Sequence, residues 1–502
     1  MKIFTTQQIS NIDKYTIDNE PIKSIDLMER ASIQLSKYVI KHFSTSQSFA
    51  IICGFGNNGG DGLALARILY LHGFSVRIFL FAPKGKQSPD NVTNFKRCQE
   101  LDIPIKKILT TKDIEIKPEE IIIDALFGSG LNRPLEGKIL PIIHKLNNIG
   151  NKIISIDVPS GLMGEDNRFN NPNNIIRANL TLTLEFPKLA FFFPENETFV
   201  GKFVIIPIGL HPEAKKAETS PYFYNEKNEI STLLMPRSTF TEKRQLGHGL
   251  LYAGYYNKMG AAILASKAAL RSGLGLLTTW VPSEACSIIQ TAVPEAMTKT
   301  YTDNEVFSYS NFKFFNAIAI GCAIGITPSS KNKLKSILKE AQQPLIIDAD
   351  GISLLSENKS FLHQLPHNTL ITPHVREFDR LFGEHKNHFE RFLTARTMAK
   401  KHHIIIILKG AYTQIHSPQG ITYFNSTGNP GMATGGSGDV LTGILLGLLA
   451  QNYSPLNAAL IGTYIHGLAG DLALEKQSHE SLIASDIIEH LGKAFQSLHN
   501  FN

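Results

Sequence analysis

Two glycine-rich runs hold the residues best placed for chemistry. The first, Gly54-Phe55-Gly56-Asn57-Asn58-Gly59-Gly60-Asp61-Gly62, follows the apolar run Phe49-Ala50-Ile51-Ile52-Cys53 and leads into an amphipathic stretch beginning near Leu63. A strand, a Gly-rich turn and a helix N-terminus suit an anion such as pyrophosphate: backbone N–H groups and the positive helix end face the ligand, and missing Cβ atoms let it approach. A bare Gly-x-Gly is equally a tight turn, but the denser Asn-Asn-Gly-Gly-Asp-Gly run favours a site. Two further apolar runs end in acids, Ile121-Ile122-Ile123-Asp124 before Gly128-Ser129-Gly130, and Ile153-Ile154-Ser155-Ile156-Asp157 before Pro159-Ser160-Gly161. Open parallel sheets bind ligands at the carboxyl ends of their strands, so Asp124 and Asp157 fall where the Asn57 to Asp61 loop also converges; the alternative is that each caps the next helix.

The second run is Asn425-Ser426-Thr427-Gly428-Asn429-Pro430-Gly431-Met432-Ala433-Thr434-Gly435-Gly436-Ser437-Gly438-Asp439-Val440-Leu441, before an apolar helix over Thr442 to Ala450. Gly435, Gly436 and Gly438 open a helix N-terminus whose N–H groups form an anion hole, with Asp439 in the first turn as a base for a hydroxyl. Phosphoryl transfer needs those parts together, since the hole neutralises charge developing on the transferred group. The other reading is a flexible loop with a capping Asp. Upstream, Ile404 to Leu408 ends in Lys409-Gly410-Ala411-Tyr412-Thr413, a strand end suited to a nucleotide. Leu345-Ile346-Ile347-Asp348-Ala349-Asp350 and Leu370-Ile371-Thr372-Pro373-His374-Val375-Arg376-Glu377 likewise end strands in titratable groups. A single His after a strand is more often a local hydrogen-bonding residue, and His248, His363, His403 and His466 have less claim than His374.

Positioning these runs takes more than one domain. The chain has 502 residues, 43% hydrophobic and 19% charged, which is ordinary globular usage and enough for about two to four domains of ~150 residues. Fifty basic against 44 acidic residues leave a formal charge of +6 without a concentrated basic strip, which gives no support to a nucleic-acid role. Cys53, Cys98, Cys286 and Cys322 are scattered, against a disulfide scaffold or a zinc site, and suggest a reducing compartment. No stretch reaches the ~18–20 apolar residues of a membrane span, so a soluble cytoplasmic protein is expected.

Strands are expected at Phe49 to Cys53, Val76 to Phe81, Glu120 to Ile123, Lys152 to Ile156, Leu180 to Leu184 and Phe203 to Ile206. Alternation with amphipathic stretches makes this a doubly wound α/β domain. The pattern breaks after His211, placing residues 1–215 in one domain, 216–235 in a linker and 236–502 in a second α/β domain. The second domain has strands at Leu250 to Ala253, Ala317 to Ile320, Pro344 to Ile347, Thr369 to Ile371 and Ile404 to Leu408, and an Ala-rich helix from about Gly260 to Ser272. The two halves share no obvious repeat.

The set Gly-x-Gly-Asn-Asn-Gly-Gly-Asp-Gly, Asp124-Ala-Leu-Phe-Gly-Ser-Gly and Asp157-Val-Pro-Ser-Gly-Leu resembles the NAD(P)H-hydrate epimerase family over about residues 1 to 210. That resemblance implies a Rossmann-like domain with Asn57, Asn58, Gly59, Gly60 and Asp61 as substrate contacts. It adds Gly128, Ser129, Gly130, Leu131, Asn132, Arg133 and Pro134 to those contacts. It implies K+ near Asn58, Asp124 and Ser160, and Asp157 as acid/base in contact with substrate. Residues 240 to 495 resemble the ribokinase-like ADP-dependent NAD(P)H-hydrate dehydratase family, most specifically at Asn429 to Leu441, with support from Asp-Ala-Asp, Thr-Pro-His-x-x-Glu and Lys-Gly-Ala-x-Thr. This second resemblance implies that Lys409, Gly410, Ala411, Tyr412, Thr413 and Gly438 contact the adenine nucleotide. Ala261, Gly325 and His374 would line the hydrate pocket, and Asp439 would act as base on the hydrate. ADP would be co-substrate with Mg2+. Together the halves are similar to the bifunctional NAD(P)H-hydrate repair family, implying NADHX and NADPHX as substrates and a homo-oligomer without nucleic-acid or membrane partners.

This chain departs from the family where Gly321-Cys322-Ala323-Ile324-Gly325 replaces Gly-Pro-Gly-Leu-Gly, Lys243-Arg244-Gln245 a Lys-Gly beginning, Gly254-Tyr255-Tyr256 a Gly-Ser turn, and Asp350-Gly351-Ile352-Ser353 an Asp-Ala-Leu-Asn ending. Two rivals remain at this point: a small-molecule kinase of the same fold, which would retain its phosphorylated product, and a non-catalytic nucleotide-binding scaffold.

Overall fold

A computed structural model describes residues 1–81, 86–302 and 307–499. The chain divides into two compact units, Lys2–Ser220, and Pro221 onward together with Met1.

The first unit is a sheet of β1 (Ser48–Cys53), β2 (Ser75–Phe81), β3 (Ile105–Ile108), β4 (Ile121–Ala125), β5 (Ile153–Ile156), β6 (Leu180–Leu184) and β7 (Lys202–Ile206). The order is β3-β2-β1-β4-β5-β6-β7 with every pairing parallel. Side chains alternate across a strand, and both faces are apolar: Ile51, Ile123 and Ile154 enter one core, Ala50, Ile52, Ile122 and Ile153 the other. That is why these strands read as unbroken apolar runs. Strand order reverses between β1 and β4, so the loops leaving those strands diverge and open a crevice at their carboxyl ends.

Local detail differs from the sequence reading in two places. The helix after β1 runs Asn57–Leu71, so the Asn and Gly residues form its first turns and not a turn ahead of Leu63. Packing explains the glycines: a Cβ on Gly59 would stand 1.9 Å from the Gly54 carbonyl oxygen. β3 was not foreseen, being four residues long with two exposed lysines.

The second unit comprises β8 (Tyr222–Tyr224), β9 (His248–Tyr252), β10 (Leu276–Pro282), β11 (Met297–Tyr301), β12 (Ala317–Ile320), β13 (Leu345–Ile347), β14 (Leu370–Ile371), β15 (Ile405–Leu408), β16 (Gln414–His416) and β17 (Thr422–Phe424). The order is β11-β10-β9-β12-β13-β14-β15-β16-β17-β8. β9 to β15 pair in parallel, β16 is antiparallel to both neighbours, and β8 runs parallel to β17. The switch in strand order lies between β9 and β12. Helices Met259–Arg271 and Ser437–Ala450 bury an apolar face on one side of this sheet, around Leu251, Ile346 and Ile405.

The stretch read as a linker, 216–235, carries structure: β8 adds an edge strand, with the Phe223 and Tyr423 rings stacked at 5.2 Å, and Lys227–Thr232 is helical. Three aromatic residues are too short a run to announce a strand, and only pairing with β17 makes one. β10, β11, β16 and β17 were also missed, the last two being three residues each. No helix of the described residues is long and apolar enough to cross a membrane, and all four cysteines are free.

Candidate active sites

In the first unit, Asp124 lies within β4 and is fully buried. Its carboxylate accepts from Ser155 Oγ at 2.8 Å, Ser160 N–H at 2.8 Å, Ser160 Oγ at 2.6 Å and Leu126 N–H at 3.3 Å. Burial outweighs these donors and raises its carboxyl above the usual range. Phe127 N–H donates to Ser160 Oγ at 2.9 Å, so this serine joins the loop after β4 to the loop after β5.

Asp157 leaves β5 in the left-handed region at φ +63°. Its carboxylate meets Lys188 Nζ at 2.7 Å and accepts from Ser129 N–H at 2.9 Å. Burial disfavours its charge, but Lys188 and Ser129 outweigh burial and hold the carboxyl below its ordinary range. Lys188, 1% exposed, also donates to Thr183 Oγ1 and the Phe186 carbonyl, each at 3.0 Å. Neither Asp124 nor Asp157 caps a helix.

Asn58, in the first turn after β1, is buried with Nδ2 lacking a partner, and its amide lies against Gly128, where a Cβ would stand 3.1 Å from Asn58 Cγ. Asn91 Nδ2 fixes the preceding loop by donating to the Gly54 and Gly56 carbonyls, both at 2.9 Å. Asp61 is buried one turn further on, its carboxyl raised well above normal first by burial and then by the charge of Asp157. Gly130, Asn132 and Arg133 are exposed, while Leu131 and Pro134 are half-buried; together they make the outer part of the loop after β4. Sequence reasoning missed Lys188 and Asn91; the signal for Lys188 was a lone lysine between Phe186 and Phe191 in an otherwise apolar stretch.

In the second unit, Asp348 follows β13 and is buried. Its Oδ1 accepts from Lys409 Nζ at 3.0 Å and Thr372 Oγ1 at 2.6 Å, and Oδ2 from Thr442 Oγ1 at 2.8 Å. Burial opposes this charge, but Lys409 and the hydroxyls prevail and keep the carboxyl below its usual range. Burial likewise opposes the Lys409 charge, and Asp348 prevails, holding the ammonium above its usual value.

The helix Ser437–Ala450 starts behind Gly436 at φ +91°, a conformation that strains any residue with a Cβ. A Cβ on Gly438 would stand 3.2 Å from Lys409 Nζ, so the first helical turn lies directly against the Lys409–Asp348 pair. Asp439, one residue on, has its carboxyl pushed up to about 6, first by burial and then by the charge of Asp348. The heads of Cys322, Asp348 and Asp439 lie within 4.8 Å of one another. Burial, then the two acids, push the Cys322 thiol well up, so it stays protonated and stands in the site as a small, nearly apolar group.

Around this centre, the Gly325 N–H donates to Asp350 Oδ2 at 2.8 Å, and the Tyr255 ring approaches to 3.6 Å of where a Gly325 Cβ would be. Ala323 sits at φ +54°. His374 is the N-cap of helix Val375–Phe382, Nδ1 accepting from the Arg376 and Glu377 N–H groups at 3.1 and 3.3 Å, and it forms a parallel bridge with Lys409. Ala261 is half-buried in the first turn of helix Met259–Arg271. Gly410, Ala411 and Tyr412 make the turn from β15 to β16, closed by Thr413 Oγ1 donating to the Gly410 carbonyl at 2.9 Å. Asp471 holds the glycine-rich run, accepting from Gly428 N–H at 2.9 Å and Asn429 Nδ2 at 3.0 Å. His466 Nε2 lies 3.0 Å from the Ser437 carbonyl, and burial pushes its imidazole down to about 4. Thr372, Thr442 and Asp471 were given no role in the sequence because each is an ordinary helix or loop residue until the fold delivers it, and His466 was ranked below His374.

Residues 250–493 match the family described as NAD(P)H-hydrate dehydratase, and residues 24–190 that described as YjeF-related protein N-terminus. The bifunctional NAD(P)H-hydrate repair enzyme Nnr of Moorella thermoacetica is 31% identical, the alignment covering 99% of this chain and 97% of that protein. The protein of the same name from Thermofilum pendens is 30% identical over 99% of this chain and 97% of its own length. The crystal structure of the ADP/ATP-dependent NAD(P)H-hydrate dehydratase of Bacillus subtilis, co-crystallized with ATP/Mg2+, is 28% identical and covers 55% of this chain and 99% of its own, with a TM-score of 0.49.

Proposed function

The chain belongs to the family of bifunctional NAD(P)H-hydrate repair enzymes, and from that membership we propose how its two units divide the work. The unit Lys2–Ser220 interconverts the R and S epimers of hydrated NADH and NADPH. The unit from Pro221 onward dehydrates the S epimer at the expense of ADP, giving NAD(P)H, AMP and phosphate. The observation that carries the reading is Asp439: a carboxyl poised near neutrality at a helix N-terminus, against a buried Lys409–Asp348 pair.

Hydroxide is a poor leaving group, and phosphorylation replaces it with a good one. Asp439 takes the proton of the hydrate hydroxyl, the freed oxygen attacks the terminal phosphorus of ADP, and the P–O bond to AMP breaks with its electron pair leaving on AMP. Phosphate then departs from C6 and a proton from C5, restoring the conjugated dihydropyridine. Lys409 and the N–H groups of Gly435 to Gly438 offset charge on the transferred group, and Asp348 fixes Lys409 in place. Lys409 to Thr413 and Gly438 contact the nucleotide, and Ala261, Gly325 and His374 the hydrate. Mg2+ would supply counter-charge to the nucleotide's phosphates.

In the first unit, Asn57 to Asp61 and Gly128 to Pro134 hold the substrate, and Asp157 exchanges a proton with it. Asn58, Asp124 and Ser160 offer amide, carboxylate and hydroxyl oxygens, an all-oxygen set suited to K+. The buried, unpartnered end of the Asn58 amide supports that fit, since turning the amide over presents its oxygen at the same place. K+ would supply positive charge beside the hydrate's phosphates. A cytoplasmic setting is supported by the four unpaired cysteines, and a homo-oligomeric state by family membership.

The test is recovery of near-ultraviolet dihydronicotinamide absorbance from mixed R and S hydrates, with K+ and Mg2+, comparing ADP, ATP and no nucleotide. Complete ADP-dependent recovery is expected, with Asp157→Ala stranding the R epimer. A phosphorylated hydrate that accumulates without recovery would replace this reading with a kinase.

A further inference from the structure

We infer that Asp13, on the first helix of the chain, is a second catalytic carboxyl of the first unit: it delivers the proton with which the C6 hydroxyl of the hydrate leaves, while Asp157 serves as the base. The inference rests on the epimerase reading and names the acid that reading lacks.

Helix Thr6–Asn19 buries Ile9, Ile12 and Thr16 on one stripe, and Asp13 falls within that stripe, four residues after Ile9 and three before Thr16. An acid on the inward face of a helix calls for a reason. The helix is fixed against the walls of the site: Thr6 N–H donates to Glu165 Oε1 at 2.6 Å, Thr16 Oγ1 accepts from His211 N–H at 3.0 Å, and Phe4 meets Phe186 edge-on at 4.8 Å. The Phe186 carbonyl in turn accepts from Lys188, the partner of Asp157.

The charged groups that act on Asp13 are Asp157 after β5, and Glu185 and Lys188 after β6. Asp61, from helix Asn57–Leu71, belongs to the same cluster and feels both Asp13 and Asp157. Lys188 is taken by Asp157 at 2.7 Å and Lys215 by Glu185 at 2.8 Å. Among the described residues, neither Asp13 nor Asp61 has an ion-pair partner. Four acids against two lysines cannot all stay ionised in one partly buried cluster, so it retains a proton. Burial first, then Asp157, pushes the Asp13 carboxyl up to about 7, while Asp157 itself is held below its normal range. Two carboxyls driven in opposite directions in one pocket are an acid and a base.

The step balances. The Asp13 proton passes to the C6 hydroxyl oxygen, the C6–O bond breaks with its pair leaving in water, and the N1 lone pair forms N1=C6. Water adds to the opposite face of C6, Asp157 takes its extra proton, and the N1=C6 pair returns to N1. Asp157 then releases its proton to solvent, and solvent restores one to Asp13. The reverse direction exchanges the two roles.

The experiment uses the full-length chain without nucleotide and follows conversion of purified R epimer to S by chromatography from pH 5.5 to 8.5. Wild type, Asp13→Asn and Asp13→Glu are compared, with ADP-dependent dehydration of the S epimer by the same preparations as the control for the rest of the molecule. Wild-type epimerisation falls as pH rises through about 7, because only protonated Asp13 delivers the proton. Asp13→Asn is expected to lower kcat at least ~100-fold, with KM within about threefold and dehydration unchanged, and Asp13→Glu to restore at least a tenth of the wild-type rate. Epimerisation by Asp13→Asn within threefold of wild type would overturn the inference, as would equal losses in both variants with raised KM. If Asp13→Asn does not fold, the wild-type profile still decides: no decline around neutrality overturns it. A wild-type chain inert toward the R epimer would overturn the epimerase reading itself, before any variant is compared.

Discussion

Lys188→Met tests the electrostatic core of the first unit. The substitution keeps the apolar stem and removes the ammonium that stands 2.7 Å from the Asp157 carboxylate, in a pair whose side chains are 1% and 10% exposed. Removing one partner of a buried pair leaves an uncompensated charge and costs about 3–5 kcal/mol. Thr183 and the Phe186 carbonyl also lose a donor, at roughly 1 kcal/mol each. These sum to about 5–7 kcal/mol; for a unit of this size each kcal/mol is worth about 2–4 °C, so its unfolding transition should drop by roughly 10–28 °C while the second unit's transition stays in place. The pH dependence has a fixed sign. In the wild type the Asp157 carboxyl titrates below its unfolded value, so the pair's contribution is complete above the ordinary carboxylate range and is lost as pH falls below that range through the depressed folded value. In Lys188→Met burial goes unopposed, Asp157 titrates higher, and protonation removes the orphan charge, so the stability gap to wild type narrows on acidification. Lys188→Met/Asp157→Asn should recover most of the lost stability, since no charge is left unpaired, but no epimerisation. Calorimetry of the three proteins between pH 4 and 8 measures all of this. A shift of under ~2 °C, a double variant no more stable than the single one, or a gap that ignores pH would refute the reasoning.

In the second unit, Asp439→Asn should abolish ADP-dependent dehydration, and in the wild type the rate should rise with pH to a plateau above about 6, because the base acts ionised; initial rates across pH 5 to 8 check both. Lys409→Ala removes the counter-charge of buried Asp348 and the positive head beside Gly438. It should raise the KM for ADP and lower kcat about 10²–10³-fold without affecting epimerisation. His416 is fully buried, and burial pushes its imidazole down to about 3. The second unit should therefore be most stable above the ordinary histidine range and lose roughly 1.4 kcal/mol per pH unit as pH falls below it. Denaturant titrations of His416→Gln should show that slope reduced by one proton.

Much of the fold was legible because the central strands of both sheets are parallel and buried on both faces, and so are continuous apolar runs bounded by glycine and acids. Ile121 to Asp124 and Ile153 to Asp157 announced both a strand and its carboxyl end. What escaped was short or half-exposed: β3 with its two lysines, the β16–β17 hairpin, and β8, which exists only because β17 pairs with it. The helix after β1 escaped in another way. Asn57 to Gly62 have the composition of a turn, and tight packing against β1 and β4 makes them helical.

The sequence by itself determined the types of group each site contains, because Gly-rich runs and strand-end acids are local patterns of a few residues. Which group is charged, and by whom, was decided only by the tertiary structure. Lys409 reaches Asp348 across 61 positions and Thr442 across 94, and no local spacing encodes such meetings. Nor does spacing say that Asp157 is ionised by a lysine from the far side of β6, or that Asp13 holds its proton on the buried stripe of the first helix. Ionisation depends on the balance of desolvation against neighbouring charge, and both terms come into being only when distant segments close around the same small volume.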